Sequence, residues 1–308
     1  MTERVCIAVP TYRRKDNLFA LLQGLARLDI DPGLTVEVVV LDNDAARSAE
    51  ETVVAARATY PLELHYESVP EPGLSTVRNS SLAWAYPRAD FLAMIDDDEI
   101  PEPQWLRELL RVANETGADA VVGPTPAILP DEAPRWYHAW RVSEMRDHSD
   151  GSSMSDGWSG NCLLRLSRMR EFDVAFDPSM NFSGGEDTLF FRQVLARGGT
   201  IAYAAHATAW EMMPADRMSF GFAVGRNFRK GSTLSICDRR IDGSAGIVAV
   251  RVAKACGLAV IGSIMAVASA IRRRNADLVR AACDVARGVG MIAGLFGVSN
   301  QPYRRQTP

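Results

Sequence analysis

The run Ile95-Asp96-Asp97-Asp98-Glu99 sets four carboxylates in consecutive positions directly behind the apolar stretch Phe91–Ile95. Like charges gathered beside a buried strand cost free energy unless a cation offsets them. In an extended segment Asp96 and Asp98 point to one side and Asp97 to the other. The first and third acids therefore form an Asp-x-Asp pair of hard oxygen donors suited to Mg²⁺ or Mn²⁺, a cation that stabilises the charge developing on a departing diphosphate. The competing reading is a solvated acidic turn. A second acidic pair, Glu186-Asp187, follows Gly184-Gly185 at the head of a helical pattern. Glycines let such a loop approach a substrate closely, and a carboxylate there can take a proton from an attacking hydroxyl. Acids in a first helical turn also complement the helix dipole with no chemistry at all. Asp42 ends another apolar run; it can accept hydrogen bonds from a nucleobase or ribose edge, or simply form a turn within Asp42-Asn43-Asp44.

Positioning these groups requires a sheet. Val5 to Val9 and Val36 to Leu41 are continuous apolar runs that read as buried parallel strands, and the leucines at 18, 21, 22, 25 and 28 mark a helix between them. The alternation continues with a helix over 49–59, a strand over 62–68, a helix over 76–86, a strand over 91–95, a helix over 104–116 and a strand over 120–123. After Pro124 the sequence turns Pro-rich and aromatic through about residue 160; a helix over 186–197 and a strand over 200–205 follow. The pattern predicts an α/β, Rossmann-like fold with a mostly parallel central sheet and helices on both faces. Ligands of open α/β sheets bind beyond the carboxyl ends of the strands. Three such ends here are polar: Pro10-Thr11-Tyr12-Arg13, Asp42-Asn43-Asp44 and the acidic run. The expected organisation is a catalytic domain over 1–240, with a nucleotide-binding half at 1–123 and an acceptor or lid half at 124–240, and a C-terminal helical extension over 241–308.

Five motifs in order resemble glycosyltransferase family 2, the inverting enzymes of GT-A fold: Val-Pro-Thr-Tyr-Arg-Arg at 9–14, Val-Leu-Asp-Asn-Asp at 40–44, Pro-Gly-Leu-Ser-Thr-Val-Arg-Asn at 72–79, Ile-Asp-Asp-Asp-Glu at 95–99 and Gly-Gly-Glu-Asp at 184–187. The resemblance covers about the first 235 residues. It implies transfer of a sugar from a nucleotide diphosphate sugar, UDP-linked, to a saccharide or lipid-linked acceptor, with Mn²⁺ or Mg²⁺. It further implies that Pro10, Thr11 and Arg13 line the nucleotide pocket, Asp42 holds the base, Arg78 lies near the diphosphate or base, Asp96 meets the ribose with Asp97 beside it, and Asp98 binds metal. Asp187 is then the base, with Glu186 as the second choice. Trp158-Ser159-Gly160-Asn161 resembles the segment that frames donor sugar and acceptor in this family, placing Trp158, Gly160 and Asn161 at the donor. Trp136, Tyr137 and Trp140 can stack on sugars, although aromatics are more often core. His206 and Glu211 both stand where related enzymes place a further metal or diphosphate ligand. Arg226 and Arg229 can clamp the diphosphate or simply face solvent.

A formal charge of −4 and no basic patch with interleaved aromatics exclude nucleic acid as an expected partner. Five scattered cysteines without C-x-x-C spacing suggest neither disulfides nor zinc, so a cytoplasmic location is expected. The first loop lacks the Gly-rich phosphate cradle of a sugar-nucleotide nucleotidyltransferase. The intact acidic motifs oppose a catalytically silent sugar-nucleotide-binding or scaffold protein. Residues 255–271 carry no charge and are flanked by Arg251, Lys254 and Arg272 to Arg274, while 276–297 reads as amphipathic. The region 245–297 is expected to make peripheral contact with the cytoplasmic face of a membrane, with homo-oligomer contact and a true span as the alternatives.

Overall fold

The computed structural model describes residues 3–144, 148–271 and 275–298. Its central sheet has seven strands in the order β3-β2-β1-β4-β8-β6-β9. These are β1 (Glu3–Thr11), β2 (Leu34–Asp42), β3 (Glu63–Ser68), β4 (Phe91–Ile95), β6 (Ala120–Val122), β8 (Asn161–Arg165) and β9 (Ile201–Tyr203). β1 to β4 run parallel, β6 and β9 are parallel to each other, and β8 alone is antiparallel to its neighbours β4 and β6. A small second sheet has the order β5-β10-β7, from β5 (Glu99–Pro101), β7 (Ala127–Ile128) and β10 (Ala209–Met212).

The connections are α1 (Lys15–Leu25), α2 (Glu50–Arg57), α3 (Leu74–Ala85), α4 (Trp105–Thr116), α5 (Arg135–Glu144), α6 (Leu166–Phe172) and α7 (Glu186–Ala196). The all-apolar strands are buried on both faces. One core layer gathers Val5, Ile7, Val9 and Ile95 with Leu18, Leu21 and Leu22 of α1 and Trp105 and Leu109 of α4. The other gathers Cys6, Ala8, Leu92 and Met94 with Val77 of α3, Met169 of α6 and Phe190 of α7. Alternate residues of one strand thus serve opposite layers, as the period of two requires.

The α/β fold with a mostly parallel sheet is as the sequence predicts, and eleven of its strands and helices fall where alternation and helical spacing put them. Among the segments that go beyond that reading are α5 within the Pro-rich stretch, the inserted antiparallel strand β8, the three short strands of the second sheet, α6, and a long helix α8 (Phe220–Ile241). The chain divides into two compact units. One is Met1–Ala127 with His148–Phe182 and Leu189–Met212; the other is Ile128–Asp147 with Ser183–Thr188 and Met213–Pro308. A division at 240/241 falls inside the second unit, because α8 packs along α10 (Asn275–Leu295), which also packs against α9 (Ala245–Ile271).

Candidate active site

The acidic run lies where β4 ends and the chain enters the small sheet. Each of its members is held differently. Asp97 turns inward and is buried, accepting a hydrogen bond from Thr11 Oγ1 at 2.8 Å and one from Arg14 Nη1 at 2.8 Å. Burial raises its pKa, with Arg14 opposing. The same Arg14 nitrogen lies 2.9 Å from Asp98 Oδ2. Burial works to lower the Arg14 guanidinium, and Asp97 and Asp98 together outweigh it and raise it. Asp96 accepts from Arg78 Nη2 at 3.2 Å. Glu99 opens β5 opposite Glu211 of β10 in the antiparallel register. It is buried, and its Oε2 has no hydrogen-bond partner among the described residues. Burial, joined by the charges of Asp96, Asp98 and Glu211, pushes the Glu99 carboxyl well above the usual carboxylate range.

Gly160 closes this corner. A Cβ at that position would stand 2.7 Å from Glu99 Oε1 and 3.0 Å from Asp96 Oδ2. Asp96, Asp98, Glu99 and Glu211 are hard oxygen donors, and an orphaned, buried carboxylate oxygen among like charges is the environment a divalent cation relieves. The residues present therefore fit Mg²⁺ or Mn²⁺.

The first loop divides its two arginines between two strand ends. Pro10 pairs with Leu41 in the parallel register. Arg13 takes a left-handed φ of 54° and its Nε reaches Asp44 at 2.9 Å, while Arg14 turns to the acidic run. Asp42 is fully buried; its carboxylate accepts from Asp44 N at 3.1 Å, Ala49 N at 2.7 Å and the Tyr66 hydroxyl at 3.2 Å. The first two of these bonds hold the turn that follows β2. Asn161 is likewise buried: it accepts from Trp105 Nε1 at 2.7 Å and donates to Pro124 O at 3.0 Å and Ala207 O at 2.8 Å. Its amide ties three segments together. Trp158 Nε1 donates to Gly123 O. His206 is exposed and acts electrostatically on Asp150, whereas the charges acting on Glu99 come from Asp96, Asp98 and Glu211. Tyr137 and Trp140 are buried, so they present no face to a sugar; Trp136 is half-buried.

In the second unit, Gly184 and Gly185 have φ values of 74° and 85°, a conformation glycine adopts freely. A Cβ on Gly185 would lie 2.2 Å from Thr233 Cγ2 of α8. This double-glycine turn sets Glu186 and Asp187 in the first turn of α7, Glu186 buried and Asp187 half-buried with Oδ1 accepting the Thr188 N–H. Arg226 and Arg229 lie on α8. Sequence reasoning passed over Arg14 and Glu99 as site residues. The signal for both was their adjacency to Arg13 and Asp98 in motifs already singled out.

A seven-stranded α/β sheet with an acidic corner beyond its central strand defines a nucleotide-sugar glycosyltransferase of GT-A fold. Residues 6–172 match the family model for Glycosyl transferase family 2, and the chain belongs to that family. It is 34% identical over 309 residues to the succinoglycan biosynthesis protein ExoM of Rhizobium meliloti (strain 1021), covering 96% of this chain and 94% of that one. Among solved structures it is similar to the mannosyltransferase PcManGT from Pyrobaculum calidifontis in complex with GDP-Man and Mn²⁺, with a TM-score of 0.66, 15% identity, and coverage of 95% of this chain and 87% of that one. It is also similar to S. aureus TarS 1-349 in complex with UDP-GlcNAc, with a TM-score of 0.52, 14% identity, and coverage of 96% and 92%. Against a longer TarS structure the chain spans 44% of the length. At these identities the solved structures speak to the fold.

Proposed function

We propose that this glycosyltransferase moves a sugar, with inversion, from a UDP-linked donor to a hydroxyl of a saccharide or lipid-linked acceptor in polysaccharide assembly at the cytoplasmic face of a membrane. The observation that carries the metal-dependent reading is the buried, unpartnered carboxylate oxygen of Glu99, which lies with Asp96 against Gly160 and feels the charges of Asp96, Asp98 and Glu211. Asp98 and Glu211 would hold Mn²⁺ or Mg²⁺, with Glu99 behind them; Glu211 is favoured over His206 because it shares the corner. When bound, the cation neutralises charge building on the leaving diphosphate. Asp96, which accepts a hydrogen bond from Arg78, would meet the ribose, and Arg226 and Arg229 would contact the diphosphate. Asp187 accepts the acceptor hydroxyl's proton as the oxygen attacks the anomeric carbon from the side opposite the diphosphate. The relatives support a nucleotide-sugar donor: TarS was solved with UDP-GlcNAc and PcManGT with GDP-Man. ExoM's role in succinoglycan biosynthesis supports a polysaccharide product.

The test is release of nucleoside diphosphate from a panel of UDP- and GDP-sugars, with Mn²⁺ and with EDTA, for the parent, Asp98→Ala and Asp187→Asn. Metal-dependent release from one donor, lost in both variants, is expected. No release, together with no metal-dependent nucleotide binding by calorimetry, sinks the reading; release from a GDP-sugar alone corrects the base.

A further inference from the structure

α9 runs for 27 residues, about 40 Å at 1.5 Å per residue, and is long and apolar enough by length and composition to cross a membrane. Only one narrow stripe of it is covered. Ala255, Gly262 and Ser269, spaced by seven, are buried, and Arg251 at the head of the stripe is ion-paired to Asp238 of α8. Contacts along the stripe are close enough to require glycine. A Cβ on Gly262 would stand 2.9 Å from Ala281 O, and one on Gly288 would stand 2.8 Å from Ala255 O. The opposite face carries Val260, Ile261, Ile264, Val267 and Ile271, each more than half exposed, with Ala253 and Cys256 also exposed. Lys254 is the sole charged residue on the exposed surface of this helix. A helix of a water-soluble bundle keeps polar residues on its outer face, and this one reverses the rule.

The packing decides between lying on a bilayer and crossing it. Gly262 sits level with Ala281 and Val285, and Gly288 level with Ala255, so α10 runs antiparallel beside the middle of α9. Asp284 lies at the level of Gly262, between Ala281 and Val285 in sequence, and Asp277, Arg280 and Arg287 flank it on the same helix. On its other side α10 meets α8: Gly290 and Gly294 approach Phe228 O and Ser232 O, where an added Cβ would stand at 2.0 and 2.3 Å. α8 carries Arg226, Arg229, Lys230, Arg239 and Arg240. Spanning would carry these charges into hydrocarbon along with α9, which is costly for each of them. Laying α9 flat buries its apolar face alone.

We propose that α9 docks the protein on an anionic phospholipid surface, lying in the plane of the headgroups with Val260, Ile264, Val267 and Ile271 inserted and α10 and α8 stacked above it as dry backing layers. Charge complementarity selects the lipid over a second copy of the chain. Residues 245–308 hold nine Lys or Arg against two Asp, whereas the whole chain has 34 against 38 Asp and Glu. A basic end on an acidic protein is drawn to anionic headgroups and presents its outer apolar face to them. Lipid docking by α9 does not depend on what the α/β core transfers.

Flotation of the full chain with preformed vesicles of phosphatidylcholine, or of phosphatidylcholine with phosphatidylglycerol, tests the proposal. The expected result is flotation with the anionic vesicles, weaker with neutral ones and reduced by salt, and lowered at least about tenfold in Ile264→Asp/Val267→Asp. Ile264→Leu/Val267→Leu should float like the parent, and because the substituted side chains are exposed, the thermal midpoint should be the same in all three proteins. Equal flotation by parent and Asp variant, equal flotation on both vesicle types, or no flotation at all would overturn it. So would a parent that sediments as a dimer, and an Asp variant that sediments as a monomer, without lipid, since a second copy would then cover the face. Resistance of the bound parent to alkaline carbonate extraction would overturn the flat placement in favour of a span.

Discussion

Replacing Glu99 by Gln changes charge and donor count at constant volume, at a buried position that feels the charges of Asp96, Asp98 and Glu211. The side chain is 5% exposed, and burial with three neighbouring acids holds its pKa well above the usual range. A carboxyl raised in the folded state contributes most to stability below the unfolded glutamate pKa of about 4.3. It contributes progressively less as pH climbs toward the folded value, at about 1.4 kcal/mol for each unit of separation. Gln carries no such dependence, and its N–H₂ can donate to the surrounding carboxylates. In metal-free protein at pH 7.5 the variant is therefore expected to be more stable than its parent by about 1–3 kcal/mol, a rise of a few degrees in midpoint. The gap should shrink as pH falls toward 5. Mn²⁺ should close it from the other side. At a hundredfold excess over Kd the parent gains about 2.7 kcal/mol, while a variant bound about 10–100-fold more weakly gains about 0.4–1.4 kcal/mol. Scanning calorimetry at both pH values, in EDTA and in Mn²⁺, reads all four conditions. A metal-free variant less stable than its parent, or an equal Mn²⁺ gain in both, would refute the assignment of this corner to a cation.

Asn161→Ala removes one acceptor and two donor hydrogen bonds and strands the buried Trp105 N–H; a loss of about 2–4 kcal/mol in urea denaturation is expected, and a loss below about 1 would show that Asn161 does not tie these segments together. Gly160→Ala drives a methyl against Glu99 Oε1 and Asp96 Oδ2, so Mn²⁺ affinity by calorimetry should fall by about tenfold or more with the fold retained by circular dichroism; unchanged affinity would place the cation elsewhere.

Strong periodic signals made the sheet legible. β4 was read to the residue, because Phe91 to Ile95 is all apolar and stops at an acid. β8 escaped because Asn161–Arg165 is five residues long, follows a Trp-Ser-Gly loop and lies antiparallel in a sheet whose other central strands are parallel. Its place depends on partners 40 or more residues back in sequence, such as Val122 and Ile95, which local pattern does not encode. α8 was missed as a single helix because three glycines dilute its propensity; their purpose shows only in packing, where Gly231 fits against the backbone of Arg287. At the site, sequence located the acidic run but not the division of labour within it. Asp42 and Asn161 looked like ligand-binding residues because their side chains suit that task. Burial and three hydrogen bonds each also tie them into the scaffold, which their residue types alone do not reveal.

The acidic run is better understood as four different residues than as one charged patch. Asp97 is turned to Thr11 and Arg14, Asp96 to Arg78, and Asp98 shares Arg14 while its backbone carbonyl accepts from Met212 N at 2.7 Å. Two arginines, Arg14 and Arg78, thus lie against the three aspartates, whereas at Glu99 burial and the charges of Asp96, Asp98 and Glu211 favour the protonated carboxyl. A dication entering beside Asp98 would compete with a guanidinium 2.9 Å away, so cation binding and a shift of Arg14 are coupled. That guanidinium belongs to the loop after β1, the strand end next to β4 in the sheet. A cation in the acidic corner would therefore act on the loop whose other arginine grips Asp44 at the end of β2. The three polar strand ends seen in the sequence are joined through two adjacent arginines, and the left-handed turn at Arg13 is what lets consecutive side chains reach in different directions.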